Sequence, residues 1–280
     1  MALITDNLPL IFAALMAVSI LAYVILDGYD LGVGMLMAQG NRAERDRMIS
    51  TIGPFWDANE TWLVLGIGLL LVAFPAAHGL ILTELYLPVA LMLLGLTLRG
   101  VAFEFRVKAQ TRYQSAWDWA FIGGSLLTAL TQGYMLGRYI MGFQPGFWPE
   151  IFAVAAGFGL AASYAFVGAT WLLAKTEGPL QARAVAWAKT TLLLTFVSMV
   201  AVSIATPLVS PRIFERWFSF PNIIGLLPIP IMTGAFFLAL WVFLKRMPRA
   251  DQSLDIVPFL GAMALFTLGF FGLAYSFYPY

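Results

Sequence analysis

The chain has 280 residues, 61% hydrophobic and 11% charged, with a formal net charge of +1. Soluble domains carry about 25% charged residues, so this composition excludes a soluble enzyme and points to a polytopic membrane protein. The net charge is uninformative as a sum, because in a membrane protein what matters is where the basic residues fall, and no nucleic-acid reading survives this composition. With no cysteine in the sequence, disulfides, thiolate metal sites and cysteine-held iron–sulfur clusters are excluded.

Residues 1–10 carry Asp6 and no Lys or Arg, so they lack the basic segment of a cleaved signal peptide, and the first span is expected to stay. Nineteen uncharged, mostly apolar residues from Leu8 to Leu26 then run into Asp27-Gly28-Tyr29-Asp30 before the chain turns apolar again. About 20 apolar residues cross a bilayer, and an Asp near a helix centre costs about 3 kcal/mol on insertion scales. Such a pair needs a reason. Hydropathy predicts eight helices, at 8–36, 58–75, 79–98, 118–141, 149–175, 187–208, 222–244 and 255–277. An all-α membrane fold of two four-helix bundles follows, 1–141 with most of the charges and 142–280 mostly apolar, without a sequence repeat between them. The loop at 209–221 is short and proline-marked. Pro228 and Pro230 are expected to kink the seventh span by removing backbone donors.

If the spans alternate sides, Arg42, Arg45, Arg47, Arg99, Arg106, Lys108, Arg112, Lys175, Arg183, Lys189, Lys245, Arg246 and Arg249 share one side. These are thirteen of the sixteen basic residues, leaving Arg138, Arg212 and Arg216 opposite. The positive-inside rule makes the thirteen-residue side cytoplasmic and the N-terminus external.

The first-half polar residues gather on that side: Asp27 and Asp30 at the end of the first span, Asp57 and Glu60 opening the second, Arg99 and Glu104 closing the third, and Asp118 opening the fourth. The second half has only Glu150, Glu177, Glu215, Asp251 and Asp255, near its helix ends. Asp27/Asp30 and Asp57/Glu60 are both spaced i, i+3, so each pair shares a helix face and the two faces can oppose each other. Carboxylates crowded in a poorly solvated site exchange protons near neutral pH, and Arg99 is the expected counter-ion. The alternative is structural: Asp57 and Asp118 capping the helices they open. Gly28, Gly32 and Gly34 would let another backbone pack closely. Trp56, Trp117 and Trp119 fit an interfacial aromatic belt, whereas Trp62 lies deeper in its helix. Twelve methionines read as membrane core, and His78, the single histidine, lies in a short outer loop without a partner for axial ligation. No redox centre is expected in this chain.

The stretches LDGYDLGVGML (26–36), TIGPFWDANETWLV (51–64), LRGVAFEFR (98–106) and WDW (117–119) resemble the signatures of subunit II of cytochrome bd quinol oxidase. The last span also resembles that family's eighth, and NETW at 59–62 is closer to its cyanide-insensitive branch. The resemblance implies a multi-pass protein of the bacterial plasma membrane, part of a ubiquinol or menaquinol oxidase that reduces dioxygen to water without pumping protons. Two b-type haems, one d-type haem and the quinol-oxidation loop would lie in a partner, subunit I. Small single-helix accessory subunits, a structural quinone and membrane lipid also belong to the family picture. By position, Asp57 and Asp30 become candidates for proton delivery, with Asp27, Glu60 and Glu104 beside them; Arg99 and Asp118 become counter-ion or structural residues, and Trp62 a candidate at the oxygen channel. No catalytic or metal-binding residue is implied here. The chain stops at Tyr280, where the family continues into a ninth helix; either the sequence is a fragment of a longer protein or this member lacks that span, and the expectation of a ninth helix stays open. Two other readings use the same carboxylates: a proton-coupled transporter, disfavoured by one-sided charges and no repeat, and a scaffold in which the cluster only pairs with Arg99.

Overall fold

A computed structural model of the chain describes residues 7–209, 211–248 and 252–277. Asp6, Arg249, Asp251 and Tyr280, which enter the sequence reading, lie outside these residues. Eleven helices are described: α1 Leu8–Leu36, α2 Arg42–Ile52, α3 Trp56–Ala73, α4 Pro75–Lys108, α5 Gln114–Ile140, α6 Phe147–Lys175, α7 Gly178–Val209, α8 Pro211–Phe218, α9 Asn222–Leu226, α10 Pro228–Lys245 and α11 Val257–Phe277. Short 3-10 turns, Met37–Gln39 and Gln252–Leu254, follow α1 and precede α11.

Seven of the described helical segments are long and apolar enough to cross a membrane. The eighth long helix, α5, is not among them. It packs against α1, α4 and α6, and a helix enclosed by protein can carry Ser125, Thr128, Thr131 and Gln132 without presenting them to lipid.

The observed ends differ from the predicted ones where charge interrupts hydropathy. The third predicted span stops at 98, whereas α4 continues to Lys108. Arg99 is therefore a helix-interior residue, not a helix end. The charged stretch 42–52, read as loop, is α2, held by a capping box: the Asn41 side chain accepts from the Glu44 N–H, and the Glu44 carboxylate accepts from the Asn41 N–H at 2.8 Å. Part of the expected 209–221 loop is α8. Pro228 opens α10 in its first turn, where a missing N–H costs little, so the prolines divide α9 from α10. The kink inside a helix is in α4, where Leu85 leaves helical geometry (φ −117°, ψ 17°). Pro88 lacks the N–H that would meet the carbonyl four residues back, which accounts for the break. His78, assigned to a loop, lies in the first turn of α4, opened by Pro75.

Helix α1 is the hub, packed against α3, α5 and α6, while α6 also packs on α5, α7 and α11. The two predicted halves thus share one core, which includes Tyr29, Val33, Phe121, Phe166, Trp171, Trp187, Leu240 and Leu265. The α1–α6 contact is backbone to backbone: a Cβ on Gly32 would overlap the carbonyl of Tyr164, and one on Gly168 would lie 2.5 Å from the Gly32–Val33 peptide. Close approach of this kind replaces the hydrophobic drive that lipid cannot supply.

Candidate functional site

Asp27 and Asp30 lie nine and six residues before the end of α1, roughly 13 and 9 Å inside at 1.5 Å per residue. Both are fully buried. One helical face carries them, as their spacing predicts, and three neighbouring helices complete the site.

From α4, Arg99 brings its Nη2 to 2.6 Å from Asp27 Oδ1, both side chains showing no exposed surface. The same nitrogen is 3.9 Å from Glu60 Oε2 on α3, a side chain 28% exposed. The guanidinium also lies over the Trp56 ring, 5.9 Å from its centroid. Trp56, expected in the interfacial belt, therefore serves this arginine. Its cation–π contact offsets part of the desolvation of a buried charge.

Asp30 has a different partner. Asn59 of α3 donates from Nδ2 to Asp30 Oδ2 at 2.9 Å and to the Tyr29 hydroxyl at 2.7 Å. Tyr29 in turn stacks on Trp171 of α6 with ring centroids 4.4 Å apart. Asn59 was missed as a site residue in the sequence, although it opens the NETW stretch. An amide between two acidic positions looks inert until the fold faces it toward α1.

The seven charged residues expected to converge divide into separate groups. Asp27, Asp30, Glu60 and Arg99 come together. Asp57 is exposed in the first turn of α3, with Glu60 the next acid inward. Glu104 is also exposed, and its nearest basic partner is Lys108 at 3.9 Å, so it stands apart from the buried cluster. Asp118 lies a turn inside α5, which begins at Gln114, and so does not cap it. It bonds instead to Arg106 Nε of α4 and lies 3.4 Å from Arg45 of α2. Arg106 also reaches Asp46 at 2.6 Å. On the other side of α2, Arg183 of α7 pairs with Glu44 at 2.6 Å and donates to the Gln39 carbonyl. This network clasps α2 across the end of the bundle. The capping N–H of Asn41, with Arg183, pulls the Glu44 carboxyl below its usual range. Trp62 is half-buried on α3, in the turn following Asn59 and Glu60.

Within the cluster, three carboxylates face one guanidinium, and Asp27 Oδ2 and Asp30 Oδ1 accept no hydrogen bond from the described residues. In a low-dielectric interior that excess of negative charge must be offset by protons or by basic groups from outside. Chemically, the site can hold and pass protons. Among the described residues no group of three or more His, Asp or Glu converges as a metal site, and His78 is at the opposite end of α4 from Arg99.

The chain matches the family described as cytochrome bd terminal oxidase subunit II over residues 8–280. It is 41% identical over 131 residues to cytochrome bd ubiquinol oxidase subunit 2 of Bacillus subtilis, covering 46% of this chain and 39% of that protein. It is 32% identical over 209 residues to cytochrome bd-I ubiquinol oxidase subunit 2 of Escherichia coli K12, covering 69% of this chain and 55% of that protein. The chain thus spans about half the length of the curated relatives it matches. A solved chain of the bd oxidase from Geobacillus thermodenitrificans has the same fold, with a TM-score of 0.77 over 98% of this chain and 86% of that one, at 17% identity. The chain belongs to the cytochrome bd terminal oxidase subunit II family.

Proposed function

We propose that this member of the family is the haem-free subunit of a quinol:oxygen oxidoreductase, seated in the bacterial plasma membrane beside a haem-bearing partner that carries the redox chemistry. Its own contribution is to stabilise that partner and to supply protons and oxygen to it. The thirteen basic residues assign the α2 end to the cytoplasm. Reduction of dioxygen consumes protons, which must cross low-dielectric protein to reach a buried centre.

One observation carries this reading: a fully buried carboxylate, Asp30, hydrogen-bonded to the neutral amide of Asn59 while its neighbour Asp27 holds the only arginine of the cluster. Asp27 is committed as counter-ion to Arg99. Asp30 has an oxygen without a protein donor and is the group that can gain and lose a proton. Partly exposed Glu60 and exposed Asp57 form the approach along α3. Trp62, further along the same helix, is the candidate for lateral oxygen access.

The test is made in the assembled complex. Asp30→Asn is expected to lower oxygen-consuming turnover about tenfold or more, the scale of losing a proton-transfer group, with haem content unchanged. Asp57→Asn and Glu60→Gln are expected to lower it less, since either can stand in for the other. Unchanged turnover when Asp30 and Asp57 are neutralised together would leave only the scaffold role.

A further inference from the structure

The amide nitrogen of Asn59 on α3 meets one whole turn of α1. Its Nδ2 lies 2.7 Å from the Tyr29 hydroxyl, 2.9 Å from Asp30 Oδ2 and 3.4 Å from the Leu26 carbonyl. Positions 26, 29 and 30 stand at i, i+3 and i+4, so three oxygens on one helix face converge on a single nitrogen. Asn59 is 7%, Tyr29 3% and Asp30 0% exposed, and a mismatched polar partner at such depth is costly.

These neighbours fix which end of the amide faces α1. A peptide carbonyl and an ionised carboxylate can only accept, so the nitrogen end is satisfied there and the oxygen end would be repelled. The amide has two hydrogens, and the two nearer oxygens, those of Tyr29 and Asp30, take them. The phenol is held in its turn: its ring stacks on Trp171 of α6, with centroids 4.4 Å and planes 23° apart, and meets Phe259 of α11 edge-on at 5.8 Å. Contacts on two sides set where Tyr29 presents its hydroxyl.

The two oxygens of Asp30 are thereby unlike. Oδ2 accepts from Asn59, whereas Oδ1, also buried, accepts no hydrogen bond from the described residues. A donor on Oδ2 favours a proton on Oδ1, because the protonated oxygen of a carboxyl group is the poorer acceptor.

We infer that Asn59 is the positioning residue of Asp30: braced by the Tyr29 hydroxyl, its amide anchors Oδ2 and leaves Oδ1 as the oxygen that takes and releases the proton. The use of that proton in turnover rests on the role proposed above. The division between the two oxygens does not.

The experiment uses the assembled complex carrying carboxyl-13C aspartate, with the infrared band of Asp30 identified as the one missing in Asp30→Asn. Asn59→Leu, of similar volume, is expected to shift and broaden that band, because Oδ2 loses its donor and the carboxyl group turns more freely. It is also expected to lower oxygen-consuming turnover about fivefold, the scale of one neutral hydrogen bond. Tyr29→Phe, which keeps the stacked ring and removes only the hydroxyl, is expected to move the band the same way by less. If Asn59 merely staples α3 to α1, Asn59→Leu lowers the yield of complex and leaves the band where it is in the unaltered protein, and that result overturns the inference. A moved band with unaltered turnover upholds the positioning role and overturns proton supply. A band moved in Asn59→Leu but not in Tyr29→Phe upholds Asn59 and overturns the bracing by Tyr29. Should Asn59→Leu fail to assemble, Tyr29→Phe decides by the same band: moved, it upholds the inference, and unmoved, it overturns it.

Discussion

Arg99 Nη2 and Asp27 Oδ1, on α4 and α1, lie 2.6 Å apart with neither side chain exposed. Removing one member of such a pair leaves the other charge buried and uncompensated, which typically costs about 3–5 kcal/mol, whereas replacing both by apolar groups is often neutral. Arg99→Met alone is therefore expected to destabilise the protein by about that amount, and Asp27→Leu with Arg99→Met to recover most of it. Denaturant titration in detergent of the two single variants and the double variant measures the coupling. Additive losses would show that the two charges are not energetically linked.

Asn59 supplies donors to both Asp30 and the Tyr29 hydroxyl. Replacing it by Leu keeps the volume but removes both bonds, leaving buried acceptors without them. A loss of about 1–3 kcal/mol is expected. Asp57→Asn, at an exposed position, is expected to leave stability within about 0.5 kcal/mol. The same unfolding assay compares the two, and an equal effect would contradict the burial difference.

Glu44 supplies the pH dependence of α2. Its carboxyl lies below the ordinary glutamate range because the Asn41 N–H, and then Arg183, favour the ionised form. A depressed folded value means that its stabilisation is present above the unfolded glutamate range and is lost as pH falls through the folded value. Hydrogen exchange over 41–52 is therefore expected to quicken on acidification through and below the usual glutamate range, after correction for intrinsic exchange. Glu44→Gln should exchange fast throughout and lose that pH dependence. A protected α2 in Glu44→Gln would show that the Arg106–Asp118–Asp46 side of the clasp suffices.

At Gly32 a side chain has no place to go, since its Cβ would overlap the backbone of Tyr164. Gly32→Val is expected to push α6 from α1 and to abolish accumulation of folded protein. Gly68, with open space around it, is the control position: Gly68→Ala is expected to accumulate normally. Yields after membrane extraction compare the two, and a well-folded Gly32→Val would refute the close contact.

Much of this was legible in residue order. The i, i+3 spacing of Asp27 and Asp30 placed them on one helix face, and Arg99 was recognisable as the basic residue that could answer them. The four motifs also pointed to the family that the chain matches. Hydropathy failed where helices leave the apolar range. It ended the third span before Arg99, although α4 runs on because Arg106 is neutralised by Asp118 and Asp46. It also passed over α2, whose N-x-x-E capping box at 41–44 was readable as a start signal. Asn59 carried no such signal, because an uncharged polar residue in a span reveals its role only through the helix it faces.

Membrane insertion and the approximate spans were determined by sequence alone, because partitioning into lipid depends on the summed transfer energies of about 20 neighbouring residues. Which carboxylate would meet the arginine was decided only by the tertiary structure. Ion pairing and hydrogen bonding fall off within a few ångströms, and the glycine contact between α1 and α6, with α3 and α4 brought beside them, sets those distances. Asp27 thus became the counter-ion of Arg99, Asp30 was left to the amide of Asn59, and Glu104 and Asp118 were drawn to other partners.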